Sequence, residues 1–147
     1  MPDMIKRERF NFFHELRVRY SEVDFQGIVF NAHYLTYFDT SITEYVRNIN
    51  YDYLNLVSGR GLDFVLVKAV VEFLSPVRFD EVIEVGVSAH RIGKSSLTWL
   101  PAIFRKGEPE CLAYGELVWV CTEMGANSSH PLPEDLVNRL REYEEMV

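Results

Sequence analysis

Residues 20–39 read YSEVDFQGIVFNAHYLTYFD, and the order of elements turns on how this stretch is divided. Its first half is a loop around Gly27. From Asn31 the apolar positions take up a new spacing: Tyr34, Tyr37/Phe38, Ser41/Ile42, Tyr45/Val46 and Ile49 recur at three- and four-residue steps. Thr36, Asp39, Thr43, Glu44 and Arg47 fall mostly between them. That period predicts a helix from about Asn31 to Asn50, roughly five turns long. Asn31 or a near neighbour is the expected N-cap. The apolar stripe is wide, so the helix is expected to be well buried.

Outward from this helix the period is two. Residues 13–20, FHELRVRY, place Leu16, Val18 and Tyr20 on one face of a first strand. Asp63–Leu74 places Val65, Val67, Ala69, Val71 and Phe73 on one face, and Ser75-Pro76 marks a turn. Glu81–His90, Ser95–Phe104 and Cys111–Thr122 follow as strands, the last two joined across Arg105–Pro109. Pro101 predicts an edge position or a bulge. After a loop at 125–129, Pro133 with Glu134 and Asp135 predicts a short terminal helix. The expected fold is α+β: an antiparallel five-stranded sheet wrapped around one long central helix, with a short C-terminal helix. Phe64, Leu66, Val70, Leu112, Tyr114 and Val118 are expected on the outer face, as a subunit interface.

Composition narrows the partners. At 147 residues, with no repeat and no Gly/Ser linker, one domain over residues 1–147 is expected. Charged residues make up 25% and apolar residues 48%, an ordinary globular balance. The net charge of −7 argues against nucleic acid, because phosphate binding needs a cationic face. MPDMIKRERFNFF lacks the apolar core of a signal peptide, and no apolar run reaches the length of a membrane span. Cys111 and Cys121 have no CxxC partner and read as reduced, buried thiols, so the expected location is cytoplasmic. Against the overall sign, residues 86–106 hold Arg91, Lys94, Arg105 and Lys106 and no acid.

Several chemistries fail on spacing. The four histidines are scattered, so no metal site is expected. Ser58 lacks the first glycine of a nucleophile elbow. Ser88–Ser95, SAHRIGKS, is one glycine short of a phosphate loop and joins two strands instead of opening a helix. Asp39 and Glu44 lie five residues apart on the helix and cannot form a dyad. Asp24 is different. It sits among Val23, Phe25, Ile28, Val29 and Phe30, where desolvation would make it a stronger base. Gly27 allows a tight turn, and the helix start then offers free N–H groups to a developing oxyanion. A carboxylate beside a helix N-terminus suits acyl transfer or hydrolysis. The same residue also suits a plain turn or cap.

The pattern Y-x-x-x-D-x-x-G-x-V-x-N-A-x-Y-x-x-Y-F, carried by Tyr20, Asp24, Gly27, Val29, Asn31, Ala32, Tyr34, Tyr37 and Phe38, resembles the hotdog-fold acyl-CoA thioesterases of the 4-hydroxybenzoyl-CoA thioesterase family. The strand–helix–four-strand order and LSPVRFDEVIEV (Leu74–Val85) fit as well. The resemblance implies hydrolysis of an acyl-CoA, with Asp24 as general base or nucleophile. It implies that the backbone N–H at Asn31 or its neighbours polarises the thioester carbonyl, and that sites form at dimer interfaces. The expected assembly is a homodimer or homotetramer. Phe30, His33 and Tyr34 become candidates for the acyl side; His33 stands where one branch has Asn, and either titrates or fills space. Arg91, Lys94, Ser95 and Ser96 become candidates for coenzyme A, which is part of the substrate; no cofactor is expected. A non-hydrolytic acyl-CoA-binding or scaffolding module is the alternative.

Overall fold

The computed structural model describes residues 5–126 and 128–146, so Met1–Met4 of the N-terminal stretch and Asn127 of the 125–129 loop lie outside the described residues. The change of period at Asn31 marks the start of helix α1, Ala32–Asn48. Asn31 is its N-cap by position, although its side chain makes no capping bond. Tyr34, Tyr37, Phe38, Ser41, Ile42, Tyr45 and Val46 form the buried stripe. Five strands, β1 (Phe13–Arg17), β2 (Leu62–Phe73), β3 (Val82–Ile92), β4 (Ser96–Arg105) and β5 (Cys111–Glu123), pair antiparallel in the order β1-β3-β4-β5-β2. The sheet packs around α1, which is the hotdog arrangement. A second helix, α2 (Tyr53–Arg60), was not expected; its Asp52 cap accepts the Asn55 N–H at 3.0 Å, and Gly61 ends it at φ 67°. Helix α3, Glu134–Glu144, begins after Pro133 as expected. It buries Leu136 and Leu140, and its Glu144 accepts both the Tyr45 hydroxyl and the Ala89 N–H. No helix among the described residues is long and apolar enough to cross a membrane.

Four expectations about the sheet need correction. The first strand stops at Arg17, and Tyr20 lies exposed in a 3-10 turn over Tyr20–Glu22. A bulge at Val67 breaks the alternation of β2. Phe64 pairs with Cys121 and Leu66 with Trp119, so both share the inner face with Ala69, Val71 and Phe73, while Val65 joins Val70 outside. Pro101 is buried on an inner strand; it pairs with Val87 of β3, and the ladder to β5 skips from Trp99↔Leu117 to Ala102↔Tyr114. The gap absorbs the missing N–H. Finally, Leu112 belongs to the inner core, and part of the outer face is already covered by the chain's own N-terminal segment. There Ile5 and Phe10 pack with Leu100, Ala102, Phe104 and Cys111, flanked by Phe13 and Tyr114.

Two strand glycines make the two faces possible. A Cβ at Gly86 would meet the Phe10 ring at 2.7 Å, and one at Gly115 would meet the Val70 carbonyl at 2.6 Å and the Phe38 ring at 2.8 Å. The central helix therefore lies as close as it does because β5 has no side chain at 115. Gly115→Ala is expected to lose about 1–3 kcal/mol through overpacking, read as a lower denaturant midpoint than wild type. The two thiols are free and buried, and burial pushes that of Cys111 up to about 11.

Candidate active site

Between the 3-10 turn and α1 the chain makes a small closed loop. Val23 bridges Val29, the Asp24 N–H reaches the Ile28 carbonyl at 2.9 Å, and the Gly27 N–H returns to the Asp24 carbonyl at 2.9 Å. Gly27 sits at φ 77°, a conformation that favours glycine. The Asp24 side chain uses Oδ1 to accept the Gln26 N–H at 2.8 Å. Its Oδ2 accepts no bond among the described residues. The loop is tied to the segment before β3 by Val29 N–H to the Val77 carbonyl, Phe79 N–H to the Gly27 carbonyl, and the Ile28↔Arg78 bridge. These bonds hold Asp24 at the end of the sheet where α1 begins.

The start of α1 supplies donors. The His33 N–H is taken by the Phe30 carbonyl at 2.9 Å and the Tyr34 N–H by the Asn31 carbonyl at 3.3 Å. The N–H groups of Asn31 and Ala32 donate to no acceptor among the described residues. Both stand at the positive end of a 17-residue helix. Asp24, Gly27 and Asn31 are thus brought to one end of the molecule, as expected.

The surroundings of Asp24 are not those expected from its neighbours in sequence. Val29 turns into the core, but Phe25 is fully exposed and Phe30 about half exposed, and Asp24 is half-buried. Phe25 stands at the tip of the turn, where side chains face solvent, so an apolar run does not enclose its own middle. Tyr34 is buried with its ring edge against Phe73 at 4.8 Å, so it belongs to the core of the single chain. His33 is half-buried beside the Phe30 ring.

The basic window also divides. Arg91 and Lys94 are exposed at the β3–β4 hairpin, where the Gly93 N–H meets the Ser96 carbonyl; the Lys94 and Ser95 carbonyls accept Leu132 and Cys121 N–H groups. Arg105 and Lys106 lie at the opposite end of β4, where Arg105 pairs with Glu81 and Lys106 with Glu15. Strands of this length separate the two ends by about 30 Å. The hairpin of Arg91, Lys94, Ser95 and Ser96 is therefore remote from Asp24 of the same chain. Beside Arg91, His90 occupies a bulge of β3 and contacts Arg9 at 3.0 Å. Burial, with Arg9 and Arg91, holds its imidazole below the usual histidine range.

Two further features carry no obvious sequence signal. A cavity of about 550 Å³ lies between α1, α2 and the β2–β5 pair, lined by Asp39, Thr43, Tyr53, Phe64, Leu66 and Trp119 among others. No residue of the Asp24 loop lines it. It opens beside β2, the sheet edge, where Val65, Leu66 and Val67 are each about half exposed. The second feature is Glu22, a residue only 6% exposed. Its carboxylate accepts the Arg19 N–H at 2.8 Å, the Arg19 Nε–H at 3.1 Å and the Tyr37 hydroxyl at 2.8 Å. Burial alone would push this carboxyl up, but those donors outweigh it and hold it below the ordinary value of 4.5. A carboxyl depressed in the folded state stabilises fully above its unfolded value, and that stabilisation is lost as pH falls through the folded one. Glu22→Gln is expected to cost about 1–3 kcal/mol at neutral pH. Thermal melts of the two proteins should converge as pH drops below 4.5. Among the described residues no cluster of His, Cys, Asp or Glu is gathered that would hold a metal ion.

Comparison with known proteins agrees with the fold. The family model described as Thioesterase superfamily matches residues 26–112. A putative esterase of Aquifex aeolicus is 30% identical over 95 residues, 65% of this chain and 73% of that protein. The acyl-CoA thioester hydrolase YbgC of Escherichia coli is 26% identical over 127 residues, 86% of this chain and 93% of that protein. Among solved structures, a thioesterase complexed with coenzyme A and Zn from Thermus thermophilus superposes with a TM-score of 0.79 at 28% identity. That match covers 95% of this chain and 98% of that one. The family match takes in Gly27, α1, α2, strands β2 to β4 and the start of β5, more than half of the sequence: the chain belongs to the thioesterase superfamily.

Proposed function

We propose that the protein hydrolyses acyl-CoA thioesters, releasing a carboxylic acid and coenzyme A. The observation that carries this reading is the pair of unengaged N–H groups at Asn31 and Ala32 on the same end of the molecule as an Asp24 whose Oδ2 is unoccupied. The thioester carbonyl oxygen accepts from the helix N–H groups, which favour the negative charge that develops on it. Asp24 either takes a proton from the attacking water or attacks the carbonyl carbon itself. The carbon–sulfur bond then breaks, and the sulfur leaves as thiolate and takes up a proton. With Asp24 as base the second acid oxygen comes directly from water; with Asp24 as nucleophile an anhydride forms, and water hydrolyses it to release the acid and restore the carboxylate. Gly27 keeps the loop tight enough for this, and Phe30 and His33 flank the acyl group.

The working unit is a homodimer or a larger assembly of dimers. A single chain leaves Asp24 only half-buried and leaves the apolar edge of β2 unpaired, and an edge of that kind is a template for a second strand. Two copies joined antiparallel through β2 are related by a two-fold axis that reverses the sheet. The Arg91–Ser96 hairpin of one copy then lies at the same end as the Asp24 loop of the other. That relation supports Arg91, Lys94, Ser95 and Ser96 as contacts for the coenzyme A phosphates.

The test is thiol release from a panel of aliphatic and aromatic acyl-CoAs. Turnover of at least one of them is expected. A folded protein that binds acyl-CoA and releases no thiol from any of them is a binding module, and the hydrolytic reading falls.

A further inference from the structure

Asp24 makes no hydrogen bond to α1 among the described residues, yet the proposed reaction needs its carboxylate in register with the first N–H groups of that helix. Glu22 supplies the connection. Its carbonyl accepts the Phe30 N–H at 2.9 Å, which ties the two arms of the Asp24 loop together one residue before Asn31. Its carboxylate reaches the other way, into the core, to the hydroxyl of Tyr37 on the second turn of α1. Among the described residues this is the only side-chain hydrogen bond joining residues 19–30 to α1. Tyr37 is itself buried, at 3% exposure, so its hydroxyl is held by packing on every side. Arg19 completes the donor set from the outside, through its main-chain N–H and guanidinium.

We infer that Glu22 and Tyr37 are a positioning pair that sets the height of Asp24 over the N-terminus of α1. This rests on the hydrolytic reading of Asp24 given above. The physical reason is that a buried carboxylate cannot stay where a donor has been removed. With the hydroxyl gone, Glu22 keeps its charge but loses its only bond to the helix, and it moves toward Arg19 and solvent. Asp24, two residues on, moves with it. A displacement of about 1 Å at a reacting group is enough to cost about 10²-fold in rate. Glu22 and Tyr37 are both buried and offer no surface to a substrate, so binding is expected to be unchanged.

The experiment is a cycle of Tyr37→Phe, Asp24→Asn and the double variant, assayed by thiol release on the acyl-CoA that wild type turns over, with thermal melts of all four proteins. Tyr37→Phe keeps the ring and its packing. Its kcat is expected to fall by about 10–10²-fold, with KM within twofold of wild type. In the Asp24→Asn background the same change is expected to have no further effect, because the group being positioned is already gone. A kcat unchanged in Tyr37→Phe overturns the inference. So does an equal fractional loss in both backgrounds, which is what general loosening of the core produces. If Asp24→Asn itself turns over like wild type, it is the parent reading that has failed, and the cycle shows this separately. Should Tyr37→Phe not fold, Glu22→Gln takes its place in the cycle, with the same outcomes read the same way.

Discussion

Asp24→Asn is expected to lower acyl-CoA turnover by about 10²–10⁴-fold, the range lost with a general base, and to leave the melting temperature close to that of wild type. The reason for the second half is structural. An asparagine Oδ1 accepts the Gln26 N–H as the carboxylate does, so the Asp24–Gly27 turn survives the change. The amide can neither take a proton from water nor form an anhydride. The measurement is initial-rate thiol release over a range of acyl-CoA concentrations, beside a thermal melt. KM is expected to change little, since the acyl chain and the nucleotide are held elsewhere. A folded Asp24→Asn protein with wild-type turnover would remove this residue from the mechanism while leaving the reaction class in place. Label found in the Asp24 carboxylate after one turnover in ¹⁸O-water establishes that it attacks the carbonyl, since a general base gains none.

The second large effect is expected from the sheet edge. Val65→Lys with Val67→Lys puts two charges on the exposed part of β2, and charge on an edge strand blocks pairing with another copy. The double variant is expected to run as a monomer in size-exclusion chromatography with light scattering, and to lose about 10²-fold in turnover for want of an ordered site. Both positions are solvent-facing in the single chain, so secondary structure by circular dichroism should be retained. A fully active monomer would show that one chain suffices. A dimer that persists would place the contact on another face.

The order of elements was legible because the period of the apolar residues changes cleanly, from two to helical at Asn31, back to two for β2 to β5, and to helical again at α3. Asp24, Gly27 and Asn31 were legible for a related reason. A carboxylate, a turn glycine and a helix start within eight residues are a local constellation, and local constellations survive folding. What could not be read had its partner far away in sequence. Glu22 looks like an ordinary acid between Arg19 and Val23, and only Tyr37, fifteen residues on, makes it a buried one. The Val67 bulge is silent because Phe64–Val67 is apolar at every position, so either face could be the inner one, and Lys68 falls outside in both readings. The basic window divides for a geometric reason. Counting charge over residues 86–106 adds the two ends of β4 together, and the chain holds those ends as far apart as a strand can. Helix α2 carried its signals, Asp52 before and Gly61 after, but its eight residues bury only Leu56, too little for periodicity to register.

The bulge at Val67 also has a bearing on chain length. Residues 62–66 and 68–73 alternate in step with β5 on either side of it, and Val67 alone is unmatched. Remove that residue and the strand straightens, but Phe64, Leu66, Ala69 and Val71 all keep facing the helix. Keep it and force regular pairing, and one half of the strand turns inside out. At this point in the sheet, then, a deletion is gentler than a substitution that favours straight strand. In a chain one residue shorter here, the floor of the cavity beside Trp119 would be preserved.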